Sequence, residues 1–445
     1  MYLRRKIDDI LIQWKKDDNR FPLIIEGSRQ VGKTESIRHF ADDNYRNFIE
    51  INFVEEPKFK AILSNGYKVD EIVKAITLID PAKRFVDNDT LILFDEIQVF
   101  PDIATSLKFF KQDGRFDVIC SGSMLGLSYH EIESNSVGYK MNETMYSMDF
   151  EEFLWAKGYG NETVDSMLQH MIDIEPFSDL ENETYMDLFT DYIILGGMPS
   201  VVKSYIEKRN FEGMSFIQNQ LIKDYKEDIQ KYTEGLDKSK VLAVYEHVPA
   251  QLAKENKKFQ YSDIRKGARS RDYFGCIEWL RTAGTIMQCE CMRYPSLPIK
   301  GNTIENVFKL YMSDTGMLIA SLDEELQEYI RLHKTLGTFG GGIYENVVAE
   351  AFMKQGLPLV YYKKENSTLE EDFFVRTFEN LVPVEVKSTN ANSKSLRMLI
   401  NGEQYSDIKY GIKLVKGNVG MNNNIYKFPY YTAFLIKRYL KACSK

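Results

Sequence analysis

Short apolar runs, each broken off by a polar residue or a glycine, divide the first third of the chain: FPLIIEG, NFIEINF, TLILFDEIQ, FDVICSGS and ETMYSMDF. Runs of this kind mark strands buried on both faces, as in a parallel sheet. After the first run, KTESIRHFADD spaces Ile37 and Phe40 as one face of a helix does. The pattern predicts a five-stranded parallel sheet with helices on both faces and a functional mouth at the carboxyl ends of the strands.

From Glu151 to about Asn210 the period becomes that of amphipathic helices, interrupted by LGGMPSVV. Gly196, Gly197 and Pro199 mark a tight turn there, which reads either as a hinge that reports ligand state or as a packed connector. LIKDYKEDIQKY follows as a helix of mixed charge, suited to a solvated face or an interdomain strut. In the next segment Ser270 can cap a helix on which Tyr273, Ile277 and Leu280 share a face, and Gly284 can end it before an alternating strand. The predicted order is helix, turn, helix, wing. Near the C terminus, GGIYENVVAEAF reads as a helix carrying Glu345 and Glu350, LEEDFFV as a strand carrying Asp372, and LVPVEVKS as a strand carrying Glu385 and Lys387.

Chemistry enters at the first strand's exit. Gly27, four residues, Gly32, Lys33 and Thr34 complete the phosphate-loop spacing, and a strand enters and a helix leaves, as that motif requires. Gly27, Ser28, Arg29, Gln30, Val31, Gly32, Lys33 and Thr34 are therefore the expected cradle for ATP, with Lys33 reaching the β- and γ-phosphates and the Thr34 hydroxyl ligating magnesium. Asp95 and Glu96 end the third run. The first is expected to hold the magnesium shell and the second to polarise the attacking water. Ser121 and Ser123 end the fourth run, where a hydroxyl senses a γ-phosphate or positions water, or else caps the following helix.

Two later groups carry candidate chemistry. Lys254, Lys257, Lys258, Arg265, Lys266, Arg269 and Arg271 concentrate positive charge around the second helix of the helix-turn-helix pattern, a candidate phosphate-backbone footprint for DNA or RNA. Basic residues at such a place also serve protein contacts. On a strand, residues two apart share a face, so Glu385 and Lys387 are expected to point together toward Asp372. Asp372 and Glu385 could hold a second magnesium, with Glu345 as an additional ligand and Lys387 facing the activated water, which is phosphodiester-cleaving chemistry. The same residues also read as ordinary ion pairs left in a structural remnant, or as a metal-dependent binding site that does not cut.

At 445 residues and 44% hydrophobic content the chain is long enough for about three domains. Its net charge of −8 excludes a whole-surface polyanion binder, so any nucleic-acid contact must be local. The five cysteines lack zinc or disulfide spacing, and the five histidines are scattered. MYLRRKIDDILIQWKK places charges where a secretory signal is apolar, and no stretch is apolar enough to span a membrane, so a cytoplasmic protein without membrane contact is expected.

GSRQVGKT, ILFDEIQ, SGSMLGL, MDFEEFLWA and LGGMPSVV, in that order, resemble prokaryotic AAA-type ATPases joined to a C-terminal domain of unknown function. With the later segments the resemblance covers nearly the whole chain. It implies an α/β AAA-like P-loop domain over 1–150, a helical lid and connector over 151–235, a winged helix over 236–332, and a restriction-endonuclease-like α/β domain over 333–445. Many relatives carry an arginine shortly after the serines, where this chain has Tyr139 and Lys140, so no charge-stabilising arginine carries over to that stretch. The expected function is ATP binding and hydrolysis coupled to nucleic-acid binding, with cleavage one of the open readings of the C-terminal acids. The alternative is a nucleotide-switched module that binds a protein partner or a second copy of itself and contains an inactive nuclease-like domain.

Overall fold

The structure is a computed structural model that describes residues 1–123, 136, 138–233, 235–254, 257–322, 324–333, 336–337, 340–387 and 393–443. It divides into two compact units, Met1–Ser147 with Thr282–Gly284, and Met148–Arg281 with Thr285–Lys445.

In the first unit, β1 (Leu23–Gly27), β2 (Asn47–Asn52), β3 (Thr90–Asp95), β4 (Asp117–Ser123) and β5 (Met141–Thr144) form one sheet in the order β2-β3-β4-β1-β5. Every pairing is parallel, with Leu23 opposite Ile119 and Ile92 opposite Val118. Alternation along the strands divides the core into two layers. Ile25, Leu91, Leu93 and Ile119 pack on Trp14, Ile37 and Phe40 of the helices Lys6–Lys16 and Lys33–Asn44. Ile24, Ile92, Phe94 and Val118 pack on Ile72, Ile76, Leu107 and Phe110 of the helices Val69–Ile79 and Ile103–Asp113. These are the helices expected on both faces.

The fifth strand differs from its expected place. It spans Met141–Thr144, and beyond it Asp149 caps the helix Phe150–Ala156, accepting from the Glu152 amide at 3.0 Å. The reason is physical: a short edge strand with an exposed face needs no apolar run, whereas Met148 and Phe150 are apolar because they are buried in the second unit. Of the quoted stretch SGSMLGL, Met124–Leu127 lies outside the described residues.

The second unit begins with the helices Phe150–Ala156, Asn161–Asp173, Asp179–Leu195, Pro199–Lys208 and Met214–Tyr232. The LGGMPS turn is a close backbone crossing. A Cβ on Gly197 would lie 1.9 Å from the Met148 carbonyl oxygen, and one on Gly316 would lie 2.3 Å from that of Leu195. The helices Lys238–Leu252, Tyr261–Ile264 and Ser270–Thr282 follow, then the antiparallel pair β6 (Ile286–Met292) and β7 (Thr303–Met312). Tyr273, Ile277 and Leu280 are buried, as their spacing predicts, and Gly284 is left-handed at φ 69°. The Ser270 hydroxyl is instead 2.7 Å from Asn306 Oδ1.

β8 (Val360–Lys363) pairs in parallel with β6, giving a sheet ordered β7-β6-β8-β9, where β9 is Glu370–Glu371. A further sheet runs β10-β11-β12-β14-β13, from β10 (Phe373–Arg376), β11 (Leu381–Lys387), β12 (Gly411–Val415), β13 (Gly420–Asn422) and β14 (Ile425–Pro429). LEEDFFV is thus two short strands in two sheets, with Asp372 at the break between them. Among the described residues no helix is long and apolar enough to cross a membrane.

Candidate functional site

The loop after β1 is shaped by two glycines. A Cβ on Gly27 would lie 2.1 Å from the Met145 carbonyl oxygen, and Gly32 has φ 95°, a conformation that side chains with a Cβ disfavour. Gly32 leads directly into the helix Lys33–Asn44, so the positive end of the helix dipole faces the loop. Lys33 folds back over the loop and donates to the carbonyls of Gly27 at 3.0 Å and Ser28 at 2.8 Å. Burial pushes its ammonium down to about 8, against the raising pull of Glu96 and Asp95.

Asp95, at the tip of β3, is the hub of the site and is 3% exposed. Its carboxylate accepts from Thr34 Oγ1 at 3.0 Å, from the Glu96 amide at 2.9 Å, from Asn52 Nδ2 at 3.5 Å and from the Ser121 hydroxyl. Thr34 and Asp95 therefore face each other as two oxygen donors suited to a hard cation, which fits a magnesium ion. Glu96 has φ 56°, in the left-handed region, where a residue of its bulk is held at a cost of about 1–3 kcal/mol. Gln98 bridges the Glu96 carboxylate and the Ser123 amide.

Lys33, Thr34, Asp95, Glu96 and Ser121 are thus brought together, and Asn52 and Gln98 join them without having been singled out by sequence. Asn52 carried a signal of a kind, as a polar residue at the carboxyl end of an apolar run.

The C-terminal acids are arranged differently from their sequence expectation. Glu385 Oε1 pairs with Lys387 at 3.6 Å, whereas Asp372 Oδ2 accepts the Val386 amide at 2.9 Å and its Oδ1 lies 3.9 Å from Lys309 Nζ. Glu345 is held by Lys257, by Lys309 at 3.6 Å and by the Tyr311 hydroxyl at 3.1 Å. Burial and the Glu345 charge push the Asp372 carboxyl up to about 6, despite Lys309. The acids expected to share a metal are already neutralised by lysines, and among the described residues no group of three or more metal-ligating side chains is placed to hold an ion. This arrangement does not fit a bound metal. The sequence pattern does not single out Lys309, although it interrupts the apolar run VFKLYM, and it places Lys257 with the basic stretch.

Glu350 lies apart from these acids. It accepts from Tyr192, from the Thr315 amide and hydroxyl, and from Lys354 at 2.6 Å, a fully paired structural carboxylate. Of the basic stretch, Arg265, Lys266, Arg269 and Arg271 are exposed, whereas Lys254 pairs with Asp263 at 2.7 Å and Lys257 turns inward. Phe274, on the same helix, is 56% exposed.

Residues 19–154 match a family described as AAA domain, residues 186–328 a domain of unknown function, DUF8612, and residues 340–431 another, DUF4143. No curated protein matches the chain. Among solved structures, the Walker-type ATPase PABY2304 of Pyrococcus abyssi is 16% identical with a TM-score of 0.43, covering 72% of this chain and 96% of its own. The ORC2 protein of Aeropyrum pernix, in ADPNP-ADP complexes, is 11% identical with a TM-score of 0.36, covering 77% and 94%. AMPPCP-bound DnaA from Aquifex aeolicus is 12% identical with a TM-score of 0.29, covering 62% and 85%. The AAA match covers β1, the loop and helix that carry Lys33 and Thr34, and β3, which ends in Asp95.

Proposed function

We propose that the chain binds and hydrolyses ATP and uses its nucleotide state to govern contact with nucleic acid through the helix Ser270–Thr282 and the basic turn before it. The observation that carries the first half is the convergence of Lys33, Thr34, Asp95 and Glu96 at the carboxyl edge of one parallel sheet. Lys33 releases its own loop carbonyls and pairs with the β- and γ-phosphates, while the loop amides and helix N-terminus receive the rest of the anion. Thr34 and Asp95 would hold magnesium, which would supply charge neutralisation at the phosphates. Glu96, oriented by Gln98, takes the proton of the attacking water, and Ser121 fixes the Asp95 carboxylate that it touches.

The second half is supported by three exposed cations, Arg265, Lys266 and Arg269, whose side chains make no ion pair or hydrogen bond among the described residues. The order of three helices and a hairpin, with Lys258 making an isolated antiparallel bridge to Lys309 of β7, supports a winged-helix reading of this segment. Cleavage is not part of this reading for the form described, because Lys309 and Lys387 already pair with the acids that would hold the metal.

The test is a fluorescence titration of duplex and single-stranded oligonucleotides at several salt concentrations, with the protein loaded with ATPγS or with ADP. The reading expects binding that weakens steeply with salt and differs between the two nucleotides. Absence of binding in both states, with a protein captured instead, would favour the nucleotide-switched protein module.

A further inference from the structure

The Nζ of Lys309 is surrounded by carboxylates from separate elements. Glu370 of β9 lies at 3.2 Å, Glu345 of the helix Gly340–Lys354 at 3.6 Å, and Asp372 at 3.9 Å. The lysine side chain is 2% exposed. Burial lowers its pKa, but Glu345, Asp372 and Glu370 together outweigh burial and raise it, so the ammonium remains charged.

Those distances suit an ammonium. A hard divalent cation draws oxygen ligands to about 2.0–2.6 Å, so the same carboxylates would have to close in by about 1 Å to hold one. Two further lysines meet the same acids, Lys257 on Glu345 and Lys363 on Glu370 at 2.9 Å. Glu371, next in the chain, is buried with neither carboxylate oxygen hydrogen-bonded, and Glu385 Oε2 is likewise without a partner. Burial and the neighbouring charges of Glu385 and Asp372 hold the Glu371 carboxyl well above the usual carboxylate range, so it adds a neutral acid beside Asp372 rather than an unbalanced charge.

We propose that Lys309 is an internal cation standing in the place of a divalent metal ion, and that it keeps Glu345, Glu370 and Asp372 from taking up magnesium or manganese. Exchange of the lysine for the ion converts a self-neutralised cluster into an oxygen-ligand metal site. Lys309 is carried by β7, whose partner β6 follows directly on the helix Ser270–Thr282, so the blocking cation and the basic helix belong to one continuous helix and hairpin. The inference concerns this cluster alone, and its outcome is independent of the ATP and nucleic-acid assays.

The test uses the full chain, freed of metal with chelator and without nucleotide, titrated with manganese and followed by the loss of the free-ion electron paramagnetic resonance signal. Lys309→Met should bind one more manganese ion per chain than wild type, at submillimolar affinity. Adding Asp372→Asn should weaken that ion by about tenfold or more. Manganese should raise the melting temperature of Lys309→Met and leave that of wild type unchanged, and a variant that folds only with manganese supports the proposal equally. Equal stoichiometry in wild type and Lys309→Met overturns it. So does a Lys309→Met chain that is folded but takes no additional ion. If that variant stays unfolded even with manganese, Lys309→Gln is decisive: the extra ion supports the proposal, and its failure to appear overturns it.

Discussion

Raising the pH should weaken ATP binding through one residue, Lys33. In the nucleotide-free site its ammonium is pushed down to about 8 by burial, from an ordinary value of 10.5. Phosphate oxygens beside it favour the charged form, so the nucleotide-bound lysine titrates well above the free one. Binding therefore takes up a proton once the free lysine has lost its own, and affinity is constant below about 8 and falls above it. Between pH 7.5 and pH 9 free Lys33 passes from mostly protonated to mostly neutral, which weakens binding by roughly tenfold, or on the order of 1 kcal/mol. The assay is isothermal titration with ATPγS and magnesium in several buffers, so that proton uptake is read separately from buffer ionisation. Lys33→Arg stays charged throughout this range and should show a flat profile, whatever its absolute affinity. A flat profile in wild type, or the same fall in Lys33→Arg, would refute the assignment of the buried lysine to the phosphates.

Gly197→Ala should lower stability by about 2–4 kcal/mol in urea unfolding, because its Cβ would meet the backbone oxygen of Met148, which cannot rotate away; a loss under about 0.5 kcal/mol would mean that the crossing yields easily. Glu350→Ala should destabilise by about 3–5 kcal/mol, since it leaves the buried Lys354 ammonium without its carboxylate, and near-neutral unfolding data would contradict that pairing. Replacing Arg265, Lys266 and Arg269 together with alanine should weaken oligonucleotide binding and flatten the slope of log affinity against log salt by about 2.7 for duplex DNA, whereas an unchanged slope would remove this surface from the interface.

The parts legible in the sequence are those fixed by local pattern. β1 to β4 are apolar because both their faces are covered, and the glycine spacing after β1 reflects a left-handed residue at Gly32 and a backbone approach at Gly27. The apolar pattern misplaces β5 because MNET is a polar edge strand, whose only requirement is a backbone register against β1. The C-terminal acids were legible as a set and illegible as a site. The cations that meet them come from far along the chain: Lys257 is 88 residues from Glu345, and Lys309 lies on β7, well before Asp372. Strand periodicity placed Glu385 beside Lys387 correctly, but a buried lysine inside VFKLYM becomes meaningful only when tertiary packing brings three carboxylates to it.

The central claim, that residues 19–154 hydrolyse ATP with Lys33 as the phosphate contact and Glu96 as the base, is tested most directly by phosphate release measured alongside nucleotide affinity in wild type, Lys33→Ala and Glu96→Gln. The account predicts turnover by wild type with magnesium, loss of both binding and turnover in Lys33→Ala, and near-normal ATP affinity in Glu96→Gln with turnover reduced by about 100-fold or more. Equal turnover by wild type and Glu96→Gln, or undiminished ATP binding by Lys33→Ala, would contradict it.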